Sequence, residues 1–394
     1  MSICHSTRNH FSSSAGVTLR ACSNTSENAS GAPFCQQKLV SAPSCSNCPI
    51  EKLYMPMPNH SVTLPIAEES FSSWCHRLQP RTAAQWRAID EILNLKPHPL
   101  AELRLRDPDF ESPPVFESRI KDAFGLKKVA FFERFRADCL WLVPHTVGDY
   151  ACADCIANAL RQHGRIVLMK SWRYLLAPIC PKHSKILTDY GRRKSSYLQF
   201  LTGPPVPLRL TITGSALDAV IKAGLKVQVL MLKLEKQLVS NPHSAGTREF
   251  SIFHARKYIM EFLLHAAHYG AGLATQFVTT PRAGDVALTD MRFKLLMKVG
   301  ALQANAAERT CALIMMGIIT GYVTRQEIEE LNNQTEYVRS WWACRWDPEF
   351  LGTSCSQIYK SHDQTYSRQI RNALGTFNHK HTKAFVRGMA LEPL

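Results

Sequence analysis

The chain has 394 residues, 45% of them apolar, which leaves room for two or three domains with cores of their own and excludes a wholly disordered protein. A formal net charge of +15 and a pI near 9.3 point to a polyanionic partner, of which nucleic acid is the commonest. No run of about 18 uninterrupted apolar residues occurs, so a helical membrane span is excluded, and the longest greasy stretch, 311–323, reads as a buried helix.

In chain order, residues 1–54 are rich in Ser, Asn, Pro and scattered Cys without helical or strand period, and are expected to be disordered to about residue 60. They hold one isolated pair, Cys45 and Cys48, with no second pair nearby, which reads as coincidence rather than as half of a metal site. Met55 and Met57 stand just before the first ordered-looking segment and are expected to include the true start of translation. Residues 1–14 lack the apolar stretch of a secretory signal, so the 13 cysteines are expected to be reduced, in the cytoplasm.

A small helical domain is expected over 61–140. Glu68 and Glu69 suit a helix N-terminus, after which Phe71, Trp74 and Leu78 fall at i, i+3 and i+7 on one face. Two more amphipathic helices follow, 83–95 with Trp86, Ile89, Ile92 and Leu93, and 116–135. Residues 141–200 form a basic, cysteine-bearing module. Beyond Pro204, Pro205 and Pro207, a helical C-terminal domain over 205–394 shows apolar residues at helical spacing in 217–239, 249–273, 290–302, 306–319, 324–341 and 366–389. Strand signals are few, so the fold class is mainly α, with a small zinc module. Residues 306–331 are a candidate helix-turn-helix with Gly317 at the turn and Val323 inward; plain helical packing competes, because Gln326 falls where an apolar residue is wanted. Arg368, Arg371, Lys380, Lys383 and Arg387 make 366–389 a basic helix that meets either DNA or solvent, and Trp341, Trp342 and Trp346 read as a core wedge, with a partner surface as the alternative.

Cys152-x2-Cys155 and Cys180-x2-His183 carry the chemistry. A two-residue spacer lets a tight turn aim both ligands of a pair at one ion, and zinc favours such Cys3His tetrahedra. The 24 residues between the pairs suffice to bring the two turns together around a short helix or hairpin. Four protein ligands leave no open position for water, so one structural zinc ion is expected rather than a catalytic one. The competing reading is two pairs of buried cysteines without metal; a thioredoxin-type redox pair lacks its βαβ setting here.

Nine cations lie between Ile156 and Ser195: Arg161, Arg165, Lys170, Arg173, Lys182, Lys185, Arg192, Arg193 and Lys194, opposed within that span by Asp189 alone. Such a cluster offers salt-sensitive, largely sequence-independent affinity for phosphate, and Arg161, Arg165, Arg173, Arg192, Arg193 and Lys194 are the candidate nucleic-acid contacts. A solvated basic loop is the plainer alternative, and Trp172 and Tyr174 serve either as core or as stacking platforms. The deaminase pattern H-x-E is missing, as are a phosphate-binding G-x-x-x-x-G-K-[ST] loop, G-x-S-x-G and H-E-x-x-H; no enzymatic activity is expected.

Leu64-Pro65 followed by Glu69-Ser70-Phe71-Ser72-Ser73-Trp74-Cys75-His76-Arg77-Leu78, then Cys152 and Cys155, Ser171-Trp172-Arg173, Cys180-Pro181-Lys182-His183 and Leu187, resembles the TniQ family of transposon target-selection proteins over about residues 64–190. The resemblance implies a non-catalytic adaptor for DNA transposition that helps choose the insertion target and links it to an AAA+ ATPase regulator and a DDE transposase. Some such proteins recognise DNA directly, whereas others ride on a CRISPR effector complex and dimerise there; the expected partner is therefore DNA or a nucleic-acid-guided complex, with a homodimer as a further option and no membrane. Cys152, Cys155, Cys180 and His183 carry over as ligands, whereas no motif fixes DNA contacts. Relatives commonly add a second zinc site, but here no cysteine follows Cys180 until Cys311. The alternative functions are a zinc-containing helix-turn-helix DNA-binding regulator without a transposon role and a nucleic-acid enzyme with an unrecognised site.

Overall fold

A computed structural model describes residues 64–78, 80–93, 109–110, 114–126, 133–143, 150–190, 214–241, 246–265, 273–274, 293–335, 345–359 and 364–389. The readings made of residues 1–60, Trp341, Trp342, Arg192, Arg193 and Lys194 lie outside these. The protein is mainly helical, with twelve α-helices and four two-residue strands among the described residues, none of the helices long and apolar enough to cross a membrane.

The first helix, α1 (Phe71–Arg77), begins where the Ser70 side chain accepts a hydrogen bond from the Ser73 N–H, satisfying one of the N–H groups that a helix start leaves orphaned. Its apolar face buries Phe71, Trp74 and Cys75 against Ala88 and Ile89 of α2 (Ala83–Leu93), Ile120 of α3 (Pro114–Phe124) and Phe135. The Phe71 and Phe135 rings meet edge to face at 5.2 Å. A continuous helix over 116–135 does not form: α3 starts on Pro114, whose missing N–H costs nothing there, and stops before Gly125 at φ +65°. Phe135 reaches the core from a separate turn. Trp86 also departs from expectation, at 51% exposed. Ala88 and Ile89 define the inward face of α2, and Trp86 sits about 110° round the helix from it.

The segment expected to carry metal ligands is built from β1 (Tyr150–Ala151), α4 (Ala153–His163), a 3-10 turn (Lys170–Arg173), β2 (Ile179–Cys180), β3 (Lys185–Ile186) and β4 (Thr188–Asp189). β2 pairs antiparallel with β3, and β4 returns to pair antiparallel with β1, Tyr150 opposite Asp189 and Ala151 opposite Thr188.

Beyond it run α5 (Ser215–Ser240), α6 (Arg248–Leu263), α7 (Phe293–Gln303), α8 (Ala306–Ile319), α9 (Arg325–Thr335), α10 (Pro348–Tyr359), α11 (Gln364–Gly375) and α12 (Lys380–Gly388). Every residue of α8 is buried. A capping box starts it, Asn305 and Glu308 exchanging side-chain and backbone hydrogen bonds. The helix expected over 366–389 is two, α11 and α12, broken so that Phe377 turns inward and the His379 side chain caps α12. Helix α10 was not anticipated, and Trp346 just before it is fully buried, as core.

At the α8–α9 corner Val323 points inward, as expected, and Gln326 is exposed. The turn glycine, however, is Gly321 at φ +76° rather than Gly317. Gly317 lies inside α8, where a Cβ would stand 2.6 Å from a Val227 methyl of α5; a close helix crossing is what requires glycine there.

One hydrophobic core runs from Trp141, Val143, Cys152, Trp172, Leu175, Leu176 and Leu187 into α5, α6 and α8 to α12. Among the described residues, the segment 141–190 and the C-terminal helices both contribute to this cluster.

Candidate metal centre

Cys152 occupies the N-cap position of α4, in extended conformation after β1, and Cys155 lies in the helix's first turn. Cys180 ends β2; its carbonyl accepts from the Ser184 N–H, closing a turn in which Ser184 adopts φ +48° and His183 swings back over the helix. Because β4 pairs with β1, both turns stand on one small scaffold.

The four ligand atoms lie within 4.8 Å of one another. His183 Nδ1 is 3.3 Å from Cys152 Sγ, 3.3 Å from Cys155 Sγ and 3.6 Å from Cys180 Sγ, and the Cys155 and Cys180 sulfurs are 3.7 Å apart. Around a tetrahedral zinc ion, bond lengths require about 3.8 Å between two sulfurs and about 3.6 Å between sulfur and nitrogen. The four distances given are close to these, so this buried to half-buried group can hold a metal ion.

Hydrogen bonding to Cys180, with burial, pushes the Cys152 thiol above its ordinary range. Burial does the same to Cys155, while Cys180, accepting from Cys152, is held below. Crowded sulfurs without a positive charge among them keep protons that a dication displaces. Outside the cage, Lys185 Nζ sits 2.7 Å from an Asp154 carboxylate oxygen, which holds that carboxyl below the usual carboxylate range and the ammonium above its own.

The basic residues fare differently. Arg161 and Lys182 are exposed and Arg165 half-buried. Arg173 is 5% exposed: its guanidinium pairs with Asp109 at 3.3 Å and donates to the Val143 carbonyl at 2.9 and 2.7 Å. It cannot serve as a phosphate contact. Lys170 is likewise internal, donating to the Arg134 and Arg136 carbonyls and paired with Asp138 at 3.2 Å. The opposing carboxylates come from outside the basic stretch, which is why a count along 156–195 overstates the charge that faces solvent. Trp172 and Tyr174 are both buried, as core.

Several residues that position the centre escaped the sequence. Gln228 of α5 grips β2 by both backbone groups of Ile179, accepting at 3.0 Å and donating at 2.8 Å. Glu235 of α5 accepts from the Leu140 and Trp141 N–H groups at 2.8 and 2.9 Å. Arg309 of α8 reaches the Tyr174 and Leu175 carbonyls and lies 4.3 Å over the Tyr150 ring. Long-range pairs of this kind leave no local pattern. Asn158 did leave one: it falls three residues after Cys155 on α4, and its amide lies 3.2 Å from His183 Nε2.

Comparison of the chain with family models, with characterised proteins and with solved structures finds no match.

Proposed function

We propose that this protein is a non-catalytic adaptor for DNA transposition of the TniQ kind, holding one structural zinc ion at Cys152, Cys155, Cys180 and His183. Three thiolate donors and one imidazole form a soft, closed set that suits zinc above harder cations and leaves no place for a substrate.

The observation that carries the reading is that the two stretches bearing the resemblance form one hydrogen-bonded unit. Glu69 accepts from Arg77 at 2.8 and 2.7 Å and from the Ser73 hydroxyl at 3.0 Å, all of it buried. The Ser73 hydroxyl in turn accepts from the Leu168 N–H, the Ser70 N–H donates to the Leu168 carbonyl, and the Lys170 N–H donates to the Glu68 carbonyl. The Glu, Ser and Arg of the opening motif thus fasten α1 onto the chain that leads into the second ligand pair.

A helix-turn-helix regulator is the weaker reading. The outward side of α9 carries Glu329 and Glu330, with Glu327 beside them, and Lys222 and Lys226 of α5 pair with Glu330 and Glu327. Glu329 pairs with Arg325 of the same helix, so α9 has no unopposed basic side to offer phosphate. The adaptor's partners are a DNA target or a nucleic-acid-guided complex, an AAA+ ATPase and a transposase, met through Arg161, Arg165 and the stretch Arg192, Arg193 and Lys194.

Transposition assayed with and without this gene, alongside a cognate transposase and ATPase, tests the role. Insertion is expected to fall to background or to lose its target without it, and unchanged insertion at the same target overturns the reading. Metal analysis of protein purified without added metal is expected to give one zinc per chain, reduced by Cys180→Ser.

A further inference from the structure

His183 turns Nδ1 toward the three sulfurs, so its other ring nitrogen, Nε2, points out of the cage. At 3.2 Å from that nitrogen lies the side-chain amide of Asn158. Residues three apart on a helix share a face, which is how the helix that contributes Cys155 also carries Asn158 to the back of the imidazole. The amide makes one further contact, its Oδ1 accepting from the Arg161 guanidinium one turn on.

We propose that Asn158 is the outer-shell residue of the metal centre: its amide oxygen accepts the hydrogen bond from His183 Nε2–H and fixes the ring as an Nδ1 ligand. The inference rests on the Cys3His reading above. An imidazole that gives Nδ1 to a cation carries its remaining ring hydrogen on Nε2, and ligating histidines keep that N–H bonded to an acceptor that sets ring orientation. Asn158 is the group in place to provide it. Which end of an amide faces a neighbour follows from the network it completes. With its nitrogen toward Nε2 and its oxygen toward Arg161, the amide suits a ring whose Nε2 is bare. Coordination at Nδ1 reverses that demand. The amide then turns its oxygen to Nε2–H and its NH2 toward Arg161, and a donor facing a donor sends the exposed guanidinium out to solvent.

Zinc affinity measured by chelator competition on the full chain tests this. Asn158→Leu, which removes the acceptor at similar size, is expected to weaken zinc binding about 10- to 100-fold. Asn158→Asp is expected to keep wild-type affinity, since a carboxylate accepts from Nε2–H and Arg161 together. In a His183→Cys background, which has no Nε2, the added Asn158→Leu is expected to change affinity by less than about twofold. Wild-type affinity in Asn158→Leu overturns the proposal, as does an equal loss in the His183→Cys background, because the effect is then not transmitted through the imidazole. A wild-type protein that takes up no zinc overturns the Cys3His reading itself, an outcome distinct from either.

Discussion

Arg173 is where a charge that looks external becomes a structural tie. Its guanidinium bridges Asp109 and the Val143 carbonyl and lies 5.8 Å over the Phe110 ring, while the Asp109 carboxylate also accepts from the Ser72 N–H at 2.6 Å. Removing one partner of a buried pair strands the other, so Arg173→Ala is expected to cost about 3–5 kcal/mol in urea denaturation. The salt dependence of any nucleic-acid binding should keep its slope in that variant, whereas Arg161→Ala should lower it by about one. Glu235 shows the opposite economy of charge. Burial pushes its carboxyl above the ordinary glutamate range even though two backbone N–H groups bond to it. The folded state then holds a proton that the unfolded state has released, so this group makes stability fall as pH rises from the ordinary glutamate range through the raised folded value. Glu235→Gln keeps the acceptor and removes the charge; melts across that window are expected to lose this component of the decline, so the variant gains on wild type as pH increases.

At the scale of elements, α10 and α12 approach each other closely through glycines. A Cβ at Gly352 would stand 2.1 Å from the Phe385 carbonyl oxygen, and one at Gly388 1.9 Å from that of Glu349. Those obstacles are backbone and cannot step aside, so Gly352→Ala or Gly388→Ala must separate the helices, at about 1–3 kcal/mol each by the cost of overpacking. Gly375, at the end of α11 with nothing within 4 Å of its would-be Cβ, is the control: Gly375→Ala is expected to leave the melting temperature unchanged or slightly raised. None of these glycines stands out in the sequence, where a glycine in a helical pattern reads only as a weak point. The position of α1 was legible because its signal is local, Phe71, Trp74 and Leu78 on one face, whereas Glu68 and Glu69, read as its N-terminus, precede the cap that Ser70 provides. The end of α3 was not, because apolar residues continue past Gly125 and periodicity cannot tell whether a phenylalanine arrives on the same helix or on the next turn.

For the molecule as a whole, the Cys3His cluster is tied into a larger core rather than hung from it. Gln228, Glu235 and Arg309, all buried on α5 or α8, each bond to backbone between Leu140 and Ile179. Leu175, Leu176 and Leu187 share the apolar cluster of α5, α6 and α8. Binding energy at the cage is then stabilisation of everything that packs on it. A metal chelator is expected to lower the thermal midpoint of the helical signal and of tryptophan fluorescence together, with Trp141, Trp172 and Trp346 reporting from one core. A separate early transition confined to fluorescence, with the helices melting where they did before, would show instead a cage that unfolds alone.

The sequence by itself determined the helical class, the Cys3His cluster and the first helix, because the spacing of the two pairs and the 3.6-residue period are written within a few positions of one another. Only the tertiary structure decided what became of the charges and polar groups. Asp109 lies 64 residues from Arg173 and Glu235 lies 95 from Leu140, so whether a basic residue faces phosphate or a buried carboxylate is settled by which distant segments fold against each other. Desolvation, which sets the worth of every such group, depends on that packing and on nothing local.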